Sequence, residues 1–300
     1  MTYRYAIIGN PVAHSRSPDI HREFARETTQ SISYERLLSP LDGFVKTVTA
    51  FRSAATAEIS PAAGVNVTVP FKIDAFNYAT ELTPRALRGG AVNTLKFMGA
   101  TVLGDNTDGV GLCADIERNL GFNIAGARVL VMGAGGAVRG VMGHLWDASP
   151  ALLAITNRTL SKAESVAKQF NDAMDTTDIK DRSADHSSEP RRKEKIRVIG
   201  LKELPTQQFD LIINATSASL AESLPLVPVA SFAPNALAYD MMYGKGQTPF
   251  LRLAASAGAR TADGLGMLVE QAAESFYVWH GLRPSTTPVL AILRAQLANI

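Results

Sequence analysis

The sequence predicts an α/β protein of two domains, each built on a mainly parallel sheet. Short β-rich runs alternate with stretches of helical spacing along most of the 300 residues, and such alternation implies crossover connections between parallel strands. A second series of this kind begins near Arg128, directly before a glycine-rich turn. The length also suits two ordinary domains.

The first series supplies the elements of the first domain. Gly99-Ala100 predicts a hairpin turn, followed by a short strand at 101–103 and a polar loop at 104–109. Strands are predicted at 3–8, 33–37, 64–69 and 91–97, and helices at 17–28, 41–55 and 71–78.

In the second series, strands are predicted at 128–132, 151–156, 196–199, 209–214 and 236–240, and helices at 137–148 and 161–170. The last residues, 266–300, are also predicted to be helical, apart from 281–288. A polar insertion at 172–195 interrupts this order, since 13 of its 24 residues are charged. We expect an exposed, mobile loop there, because so little apolar surface cannot offset the ordering entropy. Arg191-Arg192-Lys193 leaves anion binding open as an alternative.

Composition excludes several classes of protein. Thirty basic and 28 acidic residues give a net charge of +2, so no basic field favours nucleic acid or an anionic membrane as a partner. Apolar residues make up 46%, which is enough for a core, yet no run is long enough for a membrane span. The first residues have only a short apolar stretch, so we expect no signal peptide. A single cysteine, Cys113, favours the cytoplasm. The five histidines show no ligand spacing, so we expect no metal.

The turn at 133–137 follows a predicted strand and opens a predicted helix. Its small residues, Gly133-Ala134-Gly135-Gly136-Ala137, let the backbone approach a pyrophosphate at the positive end of the helix. Val138 replaces the third glycine of the usual fingerprint, so a tight structural turn remains the alternative. The context predicts a Rossmann-type dinucleotide domain.

The end of the next strand favours NADP over NAD. Enzymes that use NAD place an acidic residue there to bind the ribose 2′-hydroxyl. This chain has Asn157-Arg158-Thr159 and then Lys162, which suit a 2′-phosphate. A surface arginine is the alternative interpretation of Arg158.

The first domain carries candidate chemical groups on its turns. Ser15 and Ser17 precede a helix and suit a carboxylate ligand, although Ser17 with Pro18 also fits a simple helix cap. Lys72 falls in the first turn of a helix, where the dipole disfavours a cation, and this suggests a function. With Asp108, itself also a candidate helix cap, Lys72 would form an acid/base pair.

Nearly end to end, the chain resembles the shikimate dehydrogenase family. The segments that carry the resemblance are Ser15-Arg16-Ser17-Pro18, 66–72, 90–95, 104–109, 133–137, Asn157-Arg158-Thr159, 213–217, 239–243 and 263–269 with Gln271. The resemblance implies reversible reduction of 3-dehydroshikimate to shikimate with NADPH. It implies a substrate-binding and catalytic domain at 1–108, completed by 265–300, and an NADP domain at 109–264.

The resemblance also implies roles for matching residues. Lys72 and Asp108 are the expected catalytic pair. Substrate contacts are expected from Ser15, Ser17, Thr68, Asn93, Tyr243 and Gln271. Cofactor contacts are expected from Gly133, Ala134, Gly135, Gly136, Ala137, Asn157, Arg158, Thr159, Lys162, Ala215, Thr216, Ser217, Met241, Gly264 and Met267.

Three departures from the family pattern stand out: Val138, the insertion at 172–195, and Ser219 where a glycine is frequent. Other functions also stay open, namely a quinate/shikimate dehydrogenase with relaxed cofactor use, a non-catalytic relative that binds NADP or a metabolite, and an adapter that docks a partner through the insertion. The expected partner is a small molecule, with no nucleic acid or membrane, and the fold suits a monomer or a homodimer.

Overall fold

The computed structural model describes residues 2–54, 60–181, 195–216, 227–244 and 246–298. It divides into two compact units, each α/β: 1–114 with 266–300, and 115–265. The fold class predicted from the sequence is confirmed. What each domain binds stays a prediction.

The first unit is built on a six-stranded mixed sheet. The strands are β1 (Tyr3–Gly9), β2 (Ile32–Leu38), β3 (Ala62–Val67), β4 (Glu81–Leu82), β5 (Thr94–Met98) and β6 (Thr101–Asp105). Their order is β2-β1-β3-β5-β6-β4. Strands β1, β2 and β3 are parallel, β5 runs against β3 and β6, and β4 is parallel to β6. The predicted hairpin at Gly99-Ala100 joins β5 to β6.

Helices cover this sheet because their apolar faces pack on it. They are α1 (Ser17–Glu27), α2 (Phe44–Ser53), α3 (Lys72–Tyr78), α4 (Pro84–Gly89), α5 (Asp108–Ala114), α9 (Leu265–His280, from its second residue on) and α10 (Thr287–Ala298). Phe44, Val48 and Phe71 join the core with the strands on one side, while Phe24 of α1 meets Phe276 of α9, their ring centroids 5.9 Å apart.

The second unit is built on a fully parallel six-stranded sheet. The strands are β7 (Arg128–Met132), β8 (Leu152–Thr156), β9 (Arg197–Val198), β10 (Phe209–Asn214), β11 (Phe232–Asp240) and β12 (Arg260–Asp263). Their order, β12-β11-β10-β7-β8-β9, is the Rossmann order when counted within the unit, and it reverses between β7 and β10, where such sheets bind ligands. The helices are α6 (Gly136–Asp147), α7 (Leu160–Asp181) and α8 (Pro249–Ser256), with a π-helical turn at Asp115–Asn119.

The largest boundary difference from the sequence prediction is at the end of α7. Helix α7 continues to Asp181, whereas we expected it to end at residue 170 and a loop to begin at 172. An i,i+4 ion pair between Lys168 and Asp172, 2.5 Å long, crosses the expected boundary. Ion pairs of this spacing stabilise a helix without apolar burial, so the low hydrophobicity of the sequence did not predict where α7 ends. The remainder of the insertion, 182–194, lies outside the described residues.

Candidate functional site

The polar side chains predicted for chemistry in the first unit lie at one edge of its sheet. Strands β1, β3 and β6 run in the same direction, so their carboxyl ends meet at this edge, where β5 begins in the opposite direction. The residues placed there are Ser15 and Ser17 after β1, Thr68 and Lys72 after β3, Asn93 before β5, and Asp108 after β6.

Lys72 and Asp108 form a direct ion pair. The Nζ atom of Lys72 lies 2.5 Å from Oδ2 of Asp108, and the two side chains are only 15% and 7% exposed. Helix α3 begins at Lys72, so its ammonium stands at the positive end of a helix dipole, and the carboxylate offsets that unfavourable placement. The pair therefore places a proton donor and its partner, both largely buried, at the edge where these strand ends meet.

Asn93 connects this pair to the surrounding strands. Its Nδ2 donates to Oδ1 of Asp108 at 2.9 Å, and its Oδ1 accepts the backbone N–H of Thr107 at 2.9 Å. Its own backbone N–H donates to the carbonyl of Asp105, and its carbonyl accepts from Val67. Asn93 is 2% exposed, so its amide is fixed by these contacts and orients the Asp108 carboxylate.

Gln271 reaches the same group from α9. Its Oε1 accepts from Nδ2 of Asn93 at 3.2 Å and from Oγ1 of Thr107 at 3.4 Å. The approach depends on Gly111 of α5, where an added Cβ would lie 2.6 Å from the Cβ of Gln271. A glycine is needed there because the two helices almost touch.

An ion-pair network that is connected to the Asp108 turn was not predicted from the sequence. Arg85 donates from Nε and Nη2 to the two oxygens of Asp105, at 2.7 and 2.6 Å, and from Nη1 to Glu274 of α9 at 2.9 Å. Burial acts to raise the pKa of Asp105, but the hydrogen bonds and charge of Arg85 together with the Thr83 hydroxyl outweigh it and hold that pKa below its ordinary value.

The network reaches the catalytic candidate through one further residue. The side chain of Asp105 accepts the N–H of Asn106, and Oδ1 of Asn106 accepts the N–H of Asp108 at 3.1 Å. The sequence contains one indication of this network, the pair Thr83-Pro84. A threonine followed by proline is typical of a helix start, and such a start places Arg85 in the first turn of the helix.

The Ser15–Ser17 turn has a different geometry from a simple cap. Helix α1 begins at Ser17 itself, with Arg16 at the N-cap position and no side-chain capping bond, so the alternative interpretation of Ser17 as the N-cap is wrong. The hydroxyl of Ser15 instead donates to that of Ser17 at 3.2 Å and accepts the Ser17 N–H at 3.3 Å. Thr68 lies at the neighbouring strand end, where a Cβ on Gly9 would lie 2.4 Å from its Cγ2.

In the second unit the glycine-rich turn lies between the ends of β7 and β10. Gly133 has a φ of +119°, and a Cβ there would lie 3.1 Å from the carbonyl oxygen of Ala215. Gly135 stands at the N-cap position of α6, and an added Cβ would meet nothing within 4 Å. The N-cap residue is a glycine and makes no side-chain capping bond, so the N–H groups at this helix start suit an anion. The turn thus contains Gly133, Ala134, Gly135, Gly136 and Ala137. It lies next to Ala215 and Thr216.

The end of β8 lies beside this turn, because the N–H of Gly133 donates to the carbonyl of Thr156 at 2.8 Å. Nδ2 of Asn157 donates to the carbonyl of Thr159, which closes the loop that presents Arg158. Arg158, Thr159 and Lys162 are exposed. The start of α6 suits the pyrophosphate of a dinucleotide. The exposed cations Arg158 and Lys162, with no carboxylate at 157–159, suit a 2′-phosphate.

The remaining predicted cofactor residues divide between the units. Gly264 contacts Met241 so closely that a Cβ would lie 2.2 Å from the Met241 carbonyl oxygen. Buried Asp240 supports this turn, since it accepts from Asn214 and from the N–H of Met242. Tyr243 lies in the second unit and Met267 in the first. Ser217, like Ser219, falls outside the described residues.

The described ranges contain no cluster of three or more His, Cys, Asp or Glu side chains that could hold a metal ion. None of the helices described is long and apolar enough to cross a membrane.

Models of three protein domains match the chain. Residues 7–95 match the shikimate dehydrogenase substrate binding domain, 115–185 match shikimate / quinate 5-dehydrogenase, and 264–294 match the shikimate 5′-dehydrogenase C-terminal domain. The sequence resemblance is therefore confirmed.

Individual proteins match over almost their whole length. The chain is 52% identical over 297 residues to shikimate dehydrogenase (NADP(+)) of Herminiimonas arsenicoxydans, covering 99% of each chain. It is 51% identical to the enzyme of that name from Methylobacillus flagellatus, covering 97% of this chain and 99% of the relative. Among solved structures, shikimate 5-dehydrogenase from Thermus thermophilus in complex with NADP(H) and shikimate has a TM-score of 0.80 and 29% identity, covering 98% of this chain and 99% of that one.

Proposed function

The chain belongs to the shikimate dehydrogenase family, and from this premise we propose that it reduces 3-dehydroshikimate to shikimate with NADPH, reversibly, in the chorismate route to aromatic amino acids. The observation that carries the proposal is the Lys72–Asp108 ion pair at the carboxyl ends of the parallel strands of the first sheet. A charged proton donor beside amide groups suits a small substrate with several hydroxyls and a reducible carbonyl.

We propose that the second unit holds NADP. The N–H groups at the start of α6 would take the pyrophosphate, and Arg158 with Lys162 would take the 2′-phosphate. Thr216 is fixed by Oδ1 of Asn214, which accepts from its N–H and its hydroxyl, and we assign Thr216 to the nicotinamide. When bound, NADPH supplies the hydride for the carbonyl carbon.

We assign proton transfer and stabilisation of the developing charge to Lys72 and Asp108. Negative charge develops on the substrate oxygen during reduction, and the Lys72 ammonium stabilises or protonates that oxygen. Asp108 holds the ammonium through Oδ2 while Asn93 holds its Oδ1, so the lysine is oriented before substrate arrives. In the reverse direction the neutral amine form of Lys72 accepts the proton of the hydroxyl.

The substrate would be positioned by groups around the pair. Ser15 and Ser17 suit its carboxylate, and Thr68, Asn93 and Gln271 suit its hydroxyls. Tyr243 is assigned to the substrate on the family resemblance. We assign the cofactor roles of Ala134, Gly136, Met241, Gly264 and Met267 on the same ground.

We further propose a small anionic metabolite, rather than nucleic acid, as the partner of this protein, in the cytoplasm and as a monomer or a homodimer. The near-balance of charge and the single cysteine support this proposal. Light scattering on the purified protein measures the oligomeric state.

The reaction is tested by incubating the purified protein with 3-dehydroshikimate and NADPH and identifying the product by chromatography. Formation of shikimate at the rate of NADPH consumption supports the proposal. Binding of NADPH without product would indicate a non-catalytic metabolite-binding protein instead.

A further inference from the structure

The guanidinium of Arg36, a residue with no proposed role in substrate or cofactor binding, contacts the Ser15–Ser17 turn. Arg36 of β2 donates to the carbonyl oxygen of Ser15 from Nε at 2.9 Å and from Nη2 at 2.6 Å. The hydroxyl of the same serine points to Ser17. Arg36 thus fixes the backbone of the residue whose side chain is proposed to hold the substrate.

Within the described part of the chain, no carboxylate forms an ion pair with Arg36. The side-chain hydrogen bonds of Arg36 there are the two to the Ser15 carbonyl. Its neighbour Glu35 faces Arg4, at 3.7 Å. A guanidinium has five N–H donors, so a neutral carbonyl that takes two leaves three for solvent or an anion.

The proposed carboxylate subsite needs such a charge. Ser15 and Ser17 offer hydroxyl donors but no formal charge, and a carboxylate that leaves water is bound well only when its charge is compensated. The start of α1 at Ser17 contributes only a partial positive charge. Arg16, inside the turn, is paired with Asp19 at 3.5 Å, whereas Arg36 is bonded to the Ser15 carbonyl and has no carboxylate partner among the described residues.

We propose that Arg36 is a positioning residue that makes this subsite selective for a carboxylate. It fixes the turn through the Ser15 carbonyl and supplies the positive potential that distinguishes a carboxylate from a neutral group of similar shape. The inference rests on the proposed function and adds a specificity-determining residue to it. Arg36 is exposed, so we expect a moderate effect that salt screens.

A comparison of shikimate with its uncharged methyl ester separates charge selection from a purely structural role. Arg36→Gln removes the charge but keeps a donor for the carbonyl, while Arg36→Lys keeps the charge. We expect Arg36→Gln to raise the KM for shikimate about fivefold to tenfold, equivalent to about 1 kcal/mol, with kcat nearly unchanged. The KM for the ester should change by less than about twofold, and Arg36→Lys should restore most of the preference for the acid.

The same charge is removed elsewhere as a control. Arg26→Gln, on the exposed side of α1, should leave the ratio of the two KM values unchanged. Equal effects of Arg36→Gln on acid and ester, or no effect on either, would overturn the inference while the proposed function stands. If the unmodified protein turns over neither compound, the proposed function and this inference fail together.

Discussion

Asn93 and Asp108 share a hydrogen bond of 2.9 Å between Nδ2 and Oδ1, while the other oxygen of the carboxylate accepts from Lys72 at 2.5 Å. The two oxygens of one buried carboxylate therefore serve different partners. One is anchored to the strands through an amide, and the other holds the ammonium. The orientation of Lys72 depends on a group that is itself fixed.

Lys72→Ala should lower kcat by at least about a hundredfold, because the developing charge on the substrate oxygen loses its donor. NADPH binding, measured by fluorescence titration, should be unchanged. Lys46→Ala, an exposed lysine of α2, is the matched control and should keep full turnover. Near-normal turnover of Lys72→Ala would refute the catalytic assignment.

Arg158→Ala should raise the KM for NADPH far more than the KM for NADH, because only NADPH carries the 2′-phosphate. Steady-state kinetics with each reduced cofactor measures both values on one protein sample, so NADH serves as the internal control. Proportional increases in the two KM values would rule out recognition of the phosphate by Arg158.

The sequence predicted the fold class and several elements at their observed bounds. Strands β7 and β10 were predicted to the residue, since each is an apolar run that begins and ends at clear turn signals. Helices α4, α5 and α8 and strands β4 and β12 were missed. β4 has two residues and therefore no pattern, and α5 contains two glycines of low helix propensity and forms against Gln271 instead.

The site was predictable only in part. Motifs along the chain indicated Lys72 and Asp108, but their contact depends on β3, β5 and β6 being neighbours. The link from Arg85 to Glu274 joins residues 189 positions apart, and no local pattern encodes it. Contacts of this kind depend on topology, which local spacing does not specify.

Arg85→Ala should destabilise the first unit by about 3 to 5 kcal/mol, because it leaves the nearly buried carboxylate of Asp105 without its cation. Urea unfolding measures this free energy. Arg22→Ala, which breaks an exposed pair with Asp19, should cost less than about 1 kcal/mol.

The pH dependence gives a second readout of the Arg85–Asp105 pair. The folded-state pKa of Asp105 is depressed, so its contribution is present above the pKa of the unfolded chain and is lost as the pH falls through the folded value. As the pH falls, the free energy of unfolding of Arg85→Ala should therefore decrease less than that of the unmodified protein. The same decline in the variant and in the unmodified protein would contradict this pairing.

His21 should make the protein sensitive to acid. Its ring is stacked on Tyr34, with centroids 4.5 Å apart, and within the described residues neither nitrogen has a hydrogen-bond partner at normal distance. Burial lowers the pKa of His21 to about 3, although Asn66 acts in the opposite direction, and burial lowers that of His280 to about 4. The fold holds both rings neutral.

Because both folded-state values lie below the ordinary histidine pKa, this stability is complete above about pH 6.5 and is lost as the pH falls. Each ring contributes a slope of up to about 1.4 kcal/mol per pH unit. Urea unfolding of His21→Phe between about pH 4 and 7 should give a shallower slope than the unmodified protein. His14→Gln, at an exposed position, is the control, and an unchanged slope in His21→Phe would argue against burial of a neutral ring.

The most direct test of the proposed activity is the kcat/KM of the purified protein for shikimate and for quinate, each with NADP⁺ and with NAD⁺. We predict that shikimate with NADP⁺ gives by far the highest value, because Arg158 and Lys162 replace the acidic residue that NAD requires. A higher value for quinate or for NAD⁺, or no turnover of shikimate with NADP⁺, would contradict the proposal.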